Sequence, residues 1–326
     1  MKSCYQNVSV SRLCGLFGRT RQSYYKYMGR EQEYSVRSGL VLARVREIRK
    51  DSHRMGTLKL RSILVKEMGS AMVGLGRDAF FRLLRENDLL VKCKRRYAIT
   101  TQSDHRFKKW PDIVQRRQAL RPEQIWVSDI TYIRIRDKWI YLCLVTDAYS
   151  RKIVGYKLTH RPTVQACISA LRMAISHRMY PQSDLTHHSD RGIQYCSTNY
   201  VTILQENRIT ISMTQSGSPY DNAVAERLNG ILKSEYRMAE TFPDYKTALA
   251  QLVKAVNIYN HFRPHMSCNM MSPQQAHQQL QNQKVPKMFQ RRNAESKKFR
   301  SKTRETVVRE RTTDNSQKTD NDNQIQ

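Results

Sequence analysis

The chain has 326 residues, enough for two or three domains, and 57 Lys and Arg against 28 Asp and Glu leave a formal charge of +29. The basic residues run along the whole chain, which selects polyanionic partners, nucleic acid above all, because each phosphate neutralised releases counterions. No apolar run is long enough to span a bilayer, the first twenty residues lack a secretory apolar stretch, and the seven Cys include no CxxC pair, so the pattern is that of a cytoplasmic protein with reduced thiols.

Residues 1–95 read as a helical, DNA-binding region. "SVSRLCGLFGRTRQSYYKY" has a Gly-flanked break and a basic, aromatic end, which fits a short helix-turn-helix fragment. Leu42, Val45 and Ile48 stand at helical spacing and predict a helix in "LVLARVREIRK". "TLKLRSILVKEM" is a second helix and "GLGRDAFFRLLREND" a third. In the third, Phe80, Phe81, Leu83 and Leu84 form an apolar stripe beside Arg77, Arg82 and Arg85. Two readings fit this region. One is a helix-turn-helix whose basic third helix enters a major groove, with those three Arg on DNA. The other is a small bundle with a solvated charged face. The net charge favours DNA. Residues 96–123, punctuated by Pro111 and Pro122, read as a basic linker.

Residues 124–280 change to strands and helices. "QIWVSDITYIRI" and "KWIYLCLVTDAYSRKIVGYKL" supply three strands with turns near Asp137-Lys138 and Tyr149-Ser150. "TVQACISALRMAISHRM" is an amphipathic helix, "DLTHHSD" a short strand, "STNYVTILQENR" a helix and "ITISM" a strand. Helices in "SPYDNAVAERLNGILKSE" and "YKTALAQLVKAVNIYNHF" follow. A three-strand meander followed by alternating helices and strands predicts a mixed sheet with helices on both faces, the order of a ribonuclease-H-like α/β fold. "HFRPH", with Cys268 nearby, lacks the second ligand pair a zinc site needs and reads as loop histidines. Residues 281–326 lose periodicity, are basic and then rich in Asp, Asn and Gln, and read as a disordered tail able to hold backbone phosphates.

Three acids within the α/β region stand out. Asp129 sits in "WVSDITYI" between Val127 and Thr131, and a carboxylate inside a strand needs compensation. Asp190 ends "DLTHHSD" before a turn, and Glu226 lies on a late helix. Asp221, five residues before Glu226, has a different, local role. Ser218-Pro219-Tyr220-Asp221 has the form of a capping box, in which Asp221 complements the helix dipole. Glu226 shares a polar helix face with Asn222, Asn229, Gly230 and Lys233, a face turned toward a cleft. Three carboxylates suit phosphoryl transfer with two divalent cations, and hard oxygen ligands suit Mg²⁺ or Mn²⁺. Each acid also has a local alternative: a backbone hydrogen bond or Arg pair for Asp129, an Asx-turn before Gly192 for Asp190, and a pair with Lys233 or Arg227 for Glu226. Asp147 reads as a turn cap or a partner of Arg151, and His188 as structural. Lys233, two turns beyond Glu226, reads as a phosphate contact or a solvated lysine.

The words around these acids carry a resemblance. "WVSDITYI", "WIYLCLVTDAYSRKIVGY", "HHSDRGIQYCS", "SGSPYDNAVAERLNGILKSE" and "YNHFRPH…SPQQA", with thirty-five residues between Asp190 and Glu226, resemble the second-frame product of bacterial insertion sequences of the IS-three family. These are transposases with a retroviral-integrase-like core, and the similarity runs from about residue 40 to 277. It implies a catalytic, metal-binding triad of Asp129, Asp190 and Glu226, and Lys233 acting on DNA. It also implies two Mg²⁺ or Mn²⁺ ions, strand cleavage and strand transfer at element ends, nucleoid association, a homo-oligomer on DNA, and fusion with an upstream-frame product. Ser128 stands where Thr is common, and Arg227 where a small polar residue usually follows the Glu; Arg227 adds a DNA-contacting charge. A transposase remnant that binds DNA without cutting it, and a nuclease of RNA–DNA hybrids, are the alternatives.

Overall fold

The computed structural model describes residues 7–91, 108–115, 117–214 and 223–279. The expected capping box at 218–221, the first part of the linker and the tail from 281 lie outside those residues.

Helices α1 (Val10–Leu16), α2 (Arg21–Asp51), α3 (Thr57–Glu67) and α4 (Arg77–Glu86) come first. The last three share a core of Val41, Val45, Leu60, Leu64, Phe80 and Leu84, all buried. α2 is longer than the apolar spacing predicts. Thr20 caps it by accepting from the Ser23 N–H at 3.1 Å, and no Pro interrupts its 31 residues. Its buried residues begin only at Ser38, so periodicity marks just the packed half. A tight four-residue turn, 17–20, with Gly18 at φ +59°, joins α1 to α2. The connection from α3 to α4 takes nine residues, 68–76, wider than the usual helix-turn-helix turn.

The second region is built on strands β1 (Ile125–Ile135), β2 (Lys138–Asp147), β3 (Ile153–Thr159), β4 (Thr186–Ser189), β5 (Thr210–Met213) and β6 (Thr241–Phe242). The sheet order is β3-β2-β1-β4-β5. β1, β2 and β3 form the expected antiparallel meander, and β4 and β5 add parallel to β1. The two-residue β6 is not apparent from the sequence; it pairs parallel with Arg134 and Ile135 of β1. Because side chains alternate along a strand, β1 and β2 feed two cores. Trp126, Cys143 and Val145 pack under α5 (Val164–Ser176) and α7 (Thr198–Glu206), with the short α6 (Ile193–Cys196) between these two helices in sequence. Ile133, Ile140, Leu142 and Leu144 pack against α8 (Ala223–Glu235) and α9 (Tyr245–His261). Gly155 of β3 lets α5 approach: a Cβ there would lie 2.1 Å from the Ala170 carbonyl oxygen. These are the ribonuclease-H-like order and the helices on both faces that the sequence predicts.

Buried ionic contacts tie these parts together. Glu235, at the end of α8, accepts from Arg263 Nε at 2.7 Å and Nη2 at 2.8 Å. Lys59 of α3 reaches the same carboxylate at 3.2 Å, so the helical region docks on the end of α8. The end of the expected linker is also anchored. Glu123 is buried and accepts from the Met179 N–H at 2.6 Å and Arg178 Nε at 3.2 Å. The terminal helix α10 (Pro273–Gln278) brings His277 to within 3.5 Å of the same Glu123. Among the described residues, no helix is long and apolar enough to cross a membrane.

Candidate active site

β1 supplies the centre of the site. Its residues 125–127 pair with β4 and residues 134–135 with β6. Between them, 128–133 have a strand partner only on the β2 side among the described residues. α8 packs over this stretch through Leu228, Ile231 and Leu232. Asp129 lies in the gap, between buried Val127 and Thr131 on its own face of the strand.

Asn229, one turn along α8 from Glu226, donates from Nδ2 to Asp129 Oδ2 at 2.6 Å. The sequence places Asn229 on the polar face of this helix but assigns it no role. The available signal was one amide among Ala225, Leu228, Ile231 and Leu232, all of which turn out to be buried. Asn229 is itself buried, and its Oδ1 has no hydrogen-bond partner among the described residues.

Burial, followed by the negative charges of Asp190 and Glu226, pushes the Asp129 carboxyl up to about 7. A backbone hydrogen bond at Ile130 and the Lys233 ammonium pull the other way. Asp129 thus feels the charges of the acid at the strand end and of the acid on the helix. Asp190 follows the end of β4, an interior strand, and Asp190 Oδ1 accepts from the Gly192 N–H at 3.0 Å, the Asx-turn alternative. Glu226 is exposed in the first turn of α8. Among the described residues, no group of three His, Cys, Asp or Glu side chains is gathered tightly enough to hold a metal ion.

Lys233 is not a freely solvated lysine. It is half-buried, and its Nζ stands 4.2 Å from the ring centre of Tyr132. Burial pulls its ammonium below the ordinary lysine range, and Asp129 opposes that pull. Arg227 is exposed, and its charge is felt at Lys59 and His265, toward the helical region. Arg77, Arg82 and Arg85 are exposed along α4.

The neighbours of the three acids are structural. Ser128 Oγ and His187 Nε2 lie 2.7 Å apart, and the Tyr200 hydroxyl is 2.9 Å from the same nitrogen. His188 Nδ1 meets Ser212 Oγ at 2.9 Å, and that hydroxyl accepts from the Ile113 N–H at 3.0 Å, pinning the incoming chain. Asp147 caps its turn by accepting from the Ser150 N–H at 2.7 Å, and it also accepts from the Glu123 N–H at 2.7 Å. Its link to Arg151 runs through the backbone: the Arg151 N–H donates to the Asp147 carbonyl at 2.9 Å.

Comparison with known proteins agrees with this architecture. Two models of the integrase core domain match residues 119–219 and 207–273. The insertion element IS600 31 kDa protein of Shigella sonnei is 33% identical over 266 residues, which is 80% of this chain and 96% of that protein. The transposase InsF for insertion sequence IS3A of Escherichia coli K12 is 28% identical over 276 residues, 82% of this chain and 93% of that one. Among solved structures, a chain of the simian T-cell lymphotropic virus intasome in complex with PP2A regulatory subunit B56 gamma is similar at TM-score 0.44 and 20% identity, over 71% of this chain and 73% of that one. With its ribonuclease-H-like sheet, integrase-core matches and near full-length relatives, the chain belongs to the IS3 family of insertion-sequence transposases.

Proposed function

We propose that this chain moves an insertion sequence by cutting one DNA strand at each element end and joining the freed 3′-hydroxyl to another phosphodiester. The observation that carries the reading is the bond from Asn229, one turn along α8 from Glu226, to Asp129 on the strand beside β4, which Asp190 follows, in a chain carrying +29. Asp129, Asp190 and Glu226 are then the catalytic acids and the cation ligands. Their carboxylate oxygens, with the unpartnered Asn229 Oδ1 beside them, suit Mg²⁺ or Mn²⁺. When bound, two such ions supply positive charge across the scissile phosphate and lower the pKa of the attacking oxygen's proton.

The remaining work falls to this chain's own side chains. Asn229 fixes one Asp129 oxygen, and the Gly192 N–H fixes one oxygen of Asp190. Lys233 sets a cation beside Asp129, where a backbone phosphate of the element end enters. Arg77, Arg82 and Arg85 on α4, with Arg227, grip DNA and hold the reacting strand in line. Both ends of an element must meet, so the active species is a homo-oligomer on DNA, joined by an upstream-frame fusion where one is made.

The test uses oligonucleotides carrying the inverted repeats that flank the reading frame, with Mn²⁺ and the full chain, alone and fused. Strand cleavage is expected. Glu226→Gln should abolish it and leave DNA affinity within a few-fold. Cleavage by Glu226→Gln at the wild-type rate would remove the assignment. A second reading, a DNA-binding transposase remnant, has one observation in its favour: the absence of a ready three-ligand cluster among the described residues. End binding without cleavage by wild-type and fused protein selects that reading instead.

A further inference from the structure

The face of β1 and β2 that lies under α5 at Ile130 and Cys143 continues beyond that helix and becomes exposed. There Tyr132 is opposite Tyr141 and Arg134 is opposite Trp139. Tyr132 and Trp139 are 52% and 49% exposed. They meet diagonally across the strands, edge to face, with ring centres 5.0 Å apart. Each ring has a cation against it: Lys233 Nζ is 4.2 Å from the centre of Tyr132, and the Arg134 guanidinium is 5.6 Å from the centre of Trp139. Lys233 joins this surface to the cleft, because it stands one turn along α8 from Asn229, which bonds Asp129.

We infer that Tyr132 and Trp139, with Arg134 and Lys233, form a stacking platform for unpaired DNA bases, on the sheet face opposite Asp129 and joined to the cleft by Lys233. The inference rests on the transposase reading and adds a ligand class to it. Aromatic faces interleaved with cations suit single strands, because every base has a stacking face and every linker a phosphate. A closed duplex hides its base faces and offers this surface only its backbone. Charge complementarity favours DNA over an apolar protein partner: both rings carry cations, and around the hairpin turn Arg136 and Lys138 outweigh the single acid Asp137. Tyr132 is three residues from Asp129, an odd spacing that turns the two side chains to opposite faces of the sheet, so Lys233 is the link between platform and cleft.

The experiment measures anisotropy of a labelled oligo-dT and of a hairpin duplex on the full chain, each across a salt series. The variants are Tyr132→Ala, Trp139→Ala, the double variant, and Trp139→Phe. Exposed side chains should tolerate all of these, and circular dichroism checks it. The double variant should bind oligo-dT about 10- to 100-fold more weakly and duplex within two-fold. Trp139→Phe should retain most affinity. The loss should persist at high salt, because stacking, unlike phosphate contact, does not depend on counterion release. End cleavage should fall in the double variant and recover when the end is supplied unpaired. Unchanged oligo-dT affinity overturns the platform. Altered sedimentation with unchanged DNA binding also overturns it and assigns the patch to a second protein. If wild type cuts element ends but the aromatics are irrelevant to binding, the platform alone falls. If wild type binds single strands through Trp139 yet cuts nothing, the platform stands and the transposase reading falls.

Discussion

Two regions of this protein bury carboxylates and treat them in opposite ways. At the junction of α3, α8 and the segment after α9, Glu235 is held by two nitrogens of Arg263 and by Lys59. Burial works against its charge, but those partners prevail and pull its carboxyl below the usual range. Glu123 behaves alike: its bonds to His277, to the Met179 and Tyr180 N–H groups and to Arg178 overcome burial. In the cleft, Asp129 has an amide donor and a nearby lysine, but two further acids face it, and its carboxyl is pushed up to about 7. A buried acid saturated with partners is structural. A partly buried acid set against other acids is a candidate for function.

The widest separation between the two regions should appear in stability. Arg263→Ala leaves Glu235 buried with Lys59 alone and should cost about 3–5 kcal/mol, read by urea denaturation. Asp129→Asn should abolish strand cleavage yet cost no stability, because it removes a repelled charge and keeps the side-chain size. If Asp129→Asn destabilised as much as Arg263→Ala, the two regions would not differ in kind.

A pH series on metal-free protein sharpens the contrast. The Asp129 carboxyl titrates higher in the folded chain than in the unfolded one, so the folded state binds more protons between its ordinary value and about 7. Its contribution therefore lowers stability as pH rises through that window. His277, raised by Asp147 and Glu123 against burial, acts in the same direction: its stabilisation is full below its unfolded pKa and fades as pH rises through the folded one. The difference between wild type and Asp129→Asn isolates the Asp129 part, and the urea-midpoint gap should widen from pH 5 to pH 8. Glu235 has the opposite sign; its stabilisation is present above the ordinary glutamate value and is lost only as pH falls through its lowered one. A gap independent of pH would mean that Asp129 is not repelled.

A smaller effect is expected at the Asp190 turn. A Cβ on Gly192 would lie 3.0 Å from Asp190 Oδ1 and 3.3 Å from Gln194 Oε1. Gly192→Ala should shift the Asp190 carboxylate by a few tenths of an ångström. Cleavage should drop several-fold, in line with the sensitivity of in-line transfer to positioning, while the thermal midpoint barely moves.

What was legible in the sequence follows from how local each cause is. The meander was readable because alternation in "WVSDITYI" and "WIYLCLVTD" is a nearest-neighbour pattern. The same holds for the turn cap at Asp147 and the Asx-turn at Asp190. Asp129 stood out because a carboxylate breaks an apolar strand, and Glu226 and Lys233 because they share a helix face. Asn229 was visible on that face with no sign of its role, since its bond to Asp129 crosses one hundred residues. The clamp of Lys59, Glu235 and Arg263 was illegible for the same reason: its members come from three distant elements, and nothing near Glu235 marks it as buried. The first half of α2 and the two-residue β6 escaped because neither has enough packed residues to show a period.

Gly230 gives the finest test of the two regions, since it lies between them on α8. It is exposed, and a Cβ there would meet nothing within 4 Å. Gly inside a helix is worth about 0.8–1.0 kcal/mol less than Ala, so Gly230→Ala should stabilise by about that amount, read as a higher urea midpoint at unchanged slope. The bond from Ser234 Oγ to the Gly230 carbonyl, 2.6 Å, uses backbone that the substitution leaves in place. Cleavage should also be unchanged, because the acids and Asn229 hold their positions without help from residue 230. Should the variant gain stability but lose cleavage and DNA affinity together, the bare backbone at 230 would be a contact surface for DNA. The cleft would then extend around α8 toward Glu235, and the boundary between structural and functional acids would have to be redrawn along that helix.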